Sequence, residues 1–231
     1  MAYGVDPETG AGWVLDWEQA EQEDEASWGR LLERLRQRGL SAASGLRLVG
    51  SDGGDGLRAA LALVDLGPGI RHQRCIFHKL RNVGQAVKAA GGATRAAKRA
   101  QRRQVVQEAA AIYQAEERAT ILERRDAFVT KWQESEPDAV ATLLRDFDQT
   151  LVYLEVRGSD GERWQARYLR TTSVLERLNR TLRRLVRQVV LFHSPVGLDA
   201  RVYLTLCEAG AILLPPGDDW LEIVEDALAT A

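Results

Sequence analysis

Apolar spacing changes character once along this chain, near Cys75, and that change limits the architectures open to it. Before it, short runs rich in β formers alternate with helical patterns. Tyr3-Gly4-Val5 and Gly12-Trp13-Val14-Leu15-Asp16-Trp17 flank Asp6-Pro7-Glu8-Thr9-Gly10, which predicts a hairpin whose turn is punctuated by Pro and Gly. Ser27-Trp28 opens a predicted helix with Trp28, Leu31, Leu32 and Leu35 at helical spacing, closed by Arg38-Gly39. Leu46-Arg47-Leu48-Val49 reads as a short strand. Asp52-Gly53-Gly54 then turns the chain into a second helix carrying Leu57, Leu61 and Val64, which stops at Gly67-Pro68-Gly69. Strand and helix in alternation predict an α/β sheet.

From about Cys75 to Arg145 the pattern is almost purely helical. Ile76, Leu80, Val83 and Val87 fall on one stripe, and Ile112, Tyr113, Ile121, Leu122, Phe128 and Trp132 follow. Glu136-Pro137-Asp138 interrupts, another helix runs to about Leu144, and Gly158-Ser159-Asp160-Gly161 reads as a loop. A later helix carries Leu175, Leu178, Leu182, Leu185 and Val189, and Ser194-Pro195 starts a final region with helices around Leu204 and Leu221. The helical stretch looks like an insertion. The expected organisation is therefore an α/β part over 1–84, a helical insertion over 85–145, a return to the core over 146–195, and a C-terminal helical region over 196–231.

Composition excludes several classes. A chain of 231 residues with 45% hydrophobic and 28% charged residues suits a soluble globular protein. No apolar run approaches the roughly 20 residues a membrane span needs, and Met1-Ala2-Tyr3-Gly4-Val5-Asp6 lacks the regions of a signal peptide. Two cysteines, Cys75 and Cys207, make no disulfide framework, so a reducing cytoplasm is the expected location.

The net charge of −2 hides strong segregation. Residues 1–65 carry twelve acids against six arginines, residues 66–107 carry ten Lys/Arg and no acid, and from Asp199 onward seven acids face Arg201 alone. Two basic segments in a near-neutral chain predict a localised face for a polyanion. Taken singly, each segment reads better as a solvated helix face; their pairing with two candidate metal-binding carboxylates favours nucleic acid.

The most informative residue is Glu176. It is the only acid between Arg163 and Arg187, among Arg163, Arg167, Arg170, Arg177, Arg180, Arg183, Arg184 and Arg187. A carboxylate on a cationic helix can hold a divalent metal beside a phosphate backbone. Ser173-x-x-Glu176 also spells a capping box, in which Glu176 serves only the helix N-terminus. Asp52 ends an apolar strand before two glycines, where ligands of open α/β sheets tend to sit; an ordinary Asp-Gly turn is the alternative. Cys75 and His78 share one helix face at i,i+3, half a zinc site with no second pair at finger spacing. From spacing alone, a core thiol beside a hydrogen-bonded imidazole is the favoured reading. His72, His193 and Cys207 are isolated.

Three stretches together resemble the mutator-type DDE transposases of bacterial insertion sequences. They are Ser51-Asp52-Gly53-Gly54-Asp55-Gly56-Leu57, Gln73-Arg74-Cys75-Ile76-Phe77-His78-Lys79-Leu80-Arg81-Asn82-Val83, and Thr171-Thr172-Ser173-Val174-Leu175-Glu176-Arg177-Leu178-Asn179-Arg180-Thr181-Leu182-Arg183-Arg184. Their order and spacing also fit, and the resemblance covers most of residues 3–195. It implies an RNase H-like core interrupted by an all-helical domain. Asp52 would match the family's second catalytic Asp and Glu176 its catalytic Glu, both ligating Mg²⁺ or Mn²⁺. Cys75 and His78 would match its Cys-x-x-His motif, structural or DNA-contacting. Lys79, Arg81, Asn82, Asn179, Arg180, Arg183 and Arg184 are the expected DNA contacts.

The implied reaction is metal-dependent phosphodiester hydrolysis and strand transfer on double-stranded DNA, at transposon ends and target, by a homo-oligomer when full length and with no membrane partner. The family's first catalytic Asp lies upstream of the segment resembling Tyr3-Gly4-Val5-Asp6, so this chain is expected to be the C-terminal part of a transposase with impaired activity. Asp6 and Asp16 are weak substitutes for it. Two alternatives remain open: a non-catalytic DNA-binding or oligomerisation remnant, and a ribonuclease H-type nuclease, against which the helical insertion and the Cys-x-x-His stretch argue.

Overall fold

The computed structural model describes residues 1–88, 94–158, 161, 163–164, 169–188 and 194–212. Arg167, Val189, His193, Leu221 and the Ser159-Asp160 part of the expected loop lie outside the described residues. The chain is mixed α/β and mostly helical. Among the described residues the strands form two small sheets of two strands each, and no helix is long and apolar enough to cross a membrane.

The residues divide into two compact units. One comprises residues 1–40, 55–65 and 173–231, the other residues 41–54 and 66–172. In the first unit, β1 (Ala2–Val5) and β2 (Gly12–Asp16) make the expected antiparallel hairpin, with Tyr3 opposite Val14 and Val5 opposite Gly12. Asp6 Oδ1 accepts the Glu8 amide at 2.9 Å, so this carboxylate shapes the turn. Helix α1 (Glu25–Gln37) begins earlier than its apolar spacing suggests. Asp24 caps it, accepting the Ser27 amide at 2.9 Å. Its stripe of Leu31, Leu32 and Leu35 is buried, and α2 (Asp55–Leu63) packs against α1 through Leu57 and Ala60. Helices α7 (Ser173–Gln188) and α8 (Pro195–Glu208) complete the unit. Val14, Leu178, Val202, Leu206 and Ala211 form its core, with Val174 and Leu182 packed at the margin.

In the second unit, β3 (Leu48–Ser51) pairs in parallel with β4 (Arg71–Arg74), Ser51 opposite Arg74. Nothing in Arg71-His72-Gln73-Arg74 resembles a β-rich apolar run, and sequence patterning does not find this strand. It is held by its ladder and by one buried polar side chain. Gln73, 0% exposed, donates to the Thr150 carbonyl at 2.8 Å and accepts the Tyr153 amide at 2.9 Å. That fastens β4 to two short 3-10 turns, Asp148–Thr150 and Val152–Leu154.

Four helices follow the strand: α3 (Ile76–Ala86), α4 (Arg95–Ile112), α5 (Arg118–Trp132) and α6 (Pro137–Leu144). Val83, Val105, Ala109, Ile112, Ile121, Phe128, Val140 and Leu143 meet in one core with Phe147, Leu151 and Tyr153. The helical periodicity after Cys75 is thus the pattern of a bundle core. Gly84 lets α3 approach α4 closely, since a Cβ there would lie 2.9 Å from a methyl of Val106.

Candidate functional site

Asp52 follows the carboxyl end of β3, and Cys75 follows the carboxyl end of the parallel strand β4. The two ends are bound together, the Cys75 amide donating to the Ser51 carbonyl at 2.7 Å. Buried Ser51 organises the turn beyond it. Its Oγ accepts the Gly53 amide at 3.1 Å and lies 2.7 Å from His72 Nε2. Gly53 takes φ +87°, a backbone conformation glycine adopts without cost. The Asp52 side chain is exposed. One carboxylate oxygen, Oδ1, accepts the Gly54 amide at 3.1 Å. The Asp-Gly turn and the ligand position are therefore the same structure: the turn's own hydrogen bond leaves Oδ2 outside it.

The Cys75 thiol is 1% exposed. It accepts from the Thr172 amide at 3.3 Å and the Thr172 hydroxyl at 3.4 Å, and that hydroxyl lies 3.4 Å from His78 Nδ1. The Ile76 amide donates to the Arg170 carbonyl at 2.9 Å. Arg170 in turn donates to the Tyr113 carbonyl at 2.9 Å and stacks 5.6 Å from the Tyr153 ring. Residues 170–172 are thus stitched to the corner between β4 and α3. Burial pushes the Cys75 thiol up, but hydrogen bonds from His78 and Thr172 outweigh it and bring the pKa down to about 7. Cys75 and His78 share Thr172 as a hydrogen-bond partner.

Helix α7 starts at Ser173, the residue after this stitched segment. Glu176 is half-buried in its first turn. The capping-box reading turns on the Ser173 side chain, which lies outside the described ones. Arg177, Arg180, Arg183 and Arg184 are exposed and Asn179 is half-buried, so α7 presents a cationic surface away from Leu178. Asp52 falls in one compact unit and Glu176 in the other. Among the described residues no three His, Cys, Asp or Glu side chains gather into a metal-binding group. Asp52 and Glu176 are hard oxygen donors of the kind Mg²⁺ takes; Cys75 and His78 are softer ligands already engaged with Thr172.

A family model described as "Transposase, Mutator family" matches residues 1–210. The chain belongs to that family. Among similar proteins, the transposase for insertion sequence element IS905 of Lactococcus lactis is 29% identical over 208 residues, 90% of this chain and 47% of the relative. The transposase for IS406 of Burkholderia multivorans is 30% identical over 221 residues, 96% of this chain and 50% of the relative. The transposase for ISRM5 of Rhizobium meliloti is 29% identical over 192 residues, 83% of this chain and 43% of the relative. The chain spans about half the length of the curated relatives it matches.

In this mutator-family chain Lys79, one of the expected DNA contacts, lies inside the second unit. Its side chain is 1% exposed, and its ammonium donates to the carbonyls of Thr142, at 3.1 Å, and Arg145. These belong to the last turn of α6 and its cap, where carbonyls lack helical partners. Lys79 closes a helix end inside the protein. Arg81 on the same helix is exposed and Asn82 half-buried. The residues that sequence reasoning passed over are Gln73, Arg74, Asp146 and Thr172. All four are polar positions whose partners lie far off in sequence; Gln73, Arg74 and Thr172 stand inside the quoted motif stretches, but nothing local shows what they bind.

Proposed function

We propose that this chain carries part of the catalytic apparatus of a DDE transposase built on an RNase H-like core. In this reading Asp52 and Glu176 are metal ligands, and the arginines of α7 with Arg81 hold double-stranded DNA. The observation that carries it is Asp52 itself: an exposed carboxylate with Oδ2 outside its turn, beyond the carboxyl end of a parallel strand, in a member of the mutator family. Bound Mg²⁺ or Mn²⁺ would polarise the phosphodiester and activate the attacking oxygen. The protein's own groups present carboxylates to the ion and guanidinium groups to the phosphates, where charge-assisted hydrogen bonds hold the backbone in register. The names of the relatives, transposases for insertion sequence elements, support DNA hydrolysis and strand transfer as the chemistry.

The test is metal binding by the 231-residue chain, followed by the electron paramagnetic resonance of Mn²⁺. Asp52→Asn and Glu176→Gln should each weaken binding at least tenfold, about 1.4 kcal/mol. Mn²⁺ bound equally well by both folded variants would overturn the assignment. The exposed α7 arginines also suit a second reading, in which the chain binds DNA without cutting it. DNA binding with no Mn²⁺ binding by the unmodified chain would favour that reading.

A further inference from the structure

Arg74 ends β4, and its side chain, 12% exposed, runs beneath the turn that carries Asp52. Nη1 lies 3.4 Å from the Gly53 carbonyl oxygen. The approach is so close that a Cβ built on Gly53 would fall 1.7 Å from Nη1. The same nitrogen also faces Asp146, with Nη1 3.9 Å from Oδ2. Asp146 is the one non-glycine residue among those described with a positive φ, +53°. Asp is among the few residues with a side chain that adopt this backbone, and here the surroundings favour it.

Those surroundings are visible. The buried Lys79 ammonium binds the Thr142 and Arg145 carbonyls, tying off the end of α6 immediately before Asp146. Helix α6 thus ends in a turn that holds the Asp146 carboxylate toward Arg74. The arrangement also leaves Arg74 Nε buried without a hydrogen-bond partner. A guanidinium placed only for stability would be expected to satisfy that donor, because burying one unmet is costly.

We infer that Arg74 and Asp146 are positioning residues for Asp52. Asp146 fixes the Arg74 guanidinium, and the guanidinium supports the Asp52–Gly54 turn from below and holds its carbonyl. The inference rests on the reading of Asp52 as a metal ligand. It adds that the end of α6, nearly a hundred positions along the chain, determines how that carboxylate is presented. The position of Asp52 requires such a support. Two short strands carry it, and the turn's other internal holds are single hydrogen bonds to Ser51 Oγ and Asp52 Oδ1.

The test uses the 231-residue chain with Arg74→Gln, Asp146→Asn and the double substitution. Asp146→Asn keeps a residue that tolerates positive φ, so it removes charge without refolding the turn. Arg74→Lys keeps the charge and buried stem but not the forked donor, and serves if the Gln variant does not fold. Thermal unfolding first identifies the folded variants. Amide hydrogen exchange at Gly53 and Gly54 is then followed by NMR, with Mn²⁺ affinity measured alongside.

Exchange at both amides should quicken at least tenfold in each single variant, with little further change in the double, while the β1–β2 hairpin amides stay as they were. Mn²⁺ affinity should fall several-fold in the same variants. Unchanged exchange in folded variants would overturn the inference, whatever the metal does. Faster exchange in a chain that binds no Mn²⁺ even unmodified would uphold the support for the turn and overturn the metal-ligand reading of Asp52. Faster exchange with Mn²⁺ affinity intact would overturn the positioning role.

Discussion

The sulfur of Cys75 accepts both the amide and the hydroxyl of Thr172, at 3.3 and 3.4 Å, joining residues 97 positions apart. Thr172 is the last residue of the second unit, and this contact fastens it to the corner between β4 and α3. It also turns Cys75 into an ionisable group whose charged form the fold favours.

Stability should therefore depend on pH through Cys75. Its folded pKa of about 7 lies below the ordinary 9.0. Between those values the unfolded chain binds more protons than the folded one, so the stabilisation is complete above about pH 9 and is lost as pH falls through about 7. The gap between the unfolding free energies of the unmodified chain and Cys75→Ala should widen by about 1–3 kcal/mol from pH 6.5 to pH 9. Urea unfolding at several pH values measures it, and a constant gap would refute it.

Lys79 gives a second window. Burial, reinforced by Arg74 and by Arg145 and opposed by Asp146, brings its ammonium down from 10.5 to about 8. The folded protein sheds this proton before the unfolded chain does, so the contribution rises with pH between about 8 and 10.5. Lys79→Met should remove that rise. At neutral pH it should also destabilise by about 1–3 kcal/mol, because two buried carbonyls lose their donor. Its DNA affinity, measured on folded protein, should match that of the unmodified chain; a drop comparable to that of Arg180→Gln would return Lys79 to the DNA interface.

Binding of duplex DNA should be carried by exposed cations. Arg180→Gln, Arg183→Gln and Arg184→Gln should each reduce the slope of log affinity against log salt by about 1. Fluorescence anisotropy across a salt series gives the slopes. A slope near zero for the unmodified chain would rule out a phosphate-contacting face on α7.

Gly84→Ala sets two effects of opposite sign against each other. In a free helix the exchange would gain about 0.5–1 kcal/mol. Here the new methyl would meet Val106 at 2.9 Å, and overpacking of this kind typically costs about 1–3 kcal/mol. Net destabilisation is expected, relieved in the Gly84→Ala/Val106→Ala pair. Calorimetric melting of the single variant above the unmodified chain would show that α3 and α4 shift apart freely.

Where a feature repeats along the chain, sequence alone reached it. The hairpin is marked by Asp6-Pro7 and Gly10, and the stripes Leu31–Leu35 and Ile76–Val83 bury as their periodicity requires. The start of α1 was misplaced because Asp24 caps through its side chain while the apolar signal begins only at Trp28. Strand β4 was invisible because Gln73, its buried residue, is polar and earns that place through Thr150 and Tyr153, both more than seventy positions away. The burial of Lys79 was hidden for a related reason: a lysine in a basic run looks solvated until the carbonyls it caps are known. Asp52 could be picked out because glycines follow it, whereas Arg74 and Asp146 meet only in three dimensions.

The 1.7 Å approach at Gly53 constrains how this protein could have changed over time. A side chain gained at position 53 while the guanidinium is still at 74 lands on occupied space, and the backbone at φ +87° resists it as well. Either the guanidinium moves, giving up the Gly53 carbonyl and the Asp146 carboxylate, or the position stays glycine. Replacements at these three positions are therefore coupled, and 53, 74 and 146 should be inherited as a set.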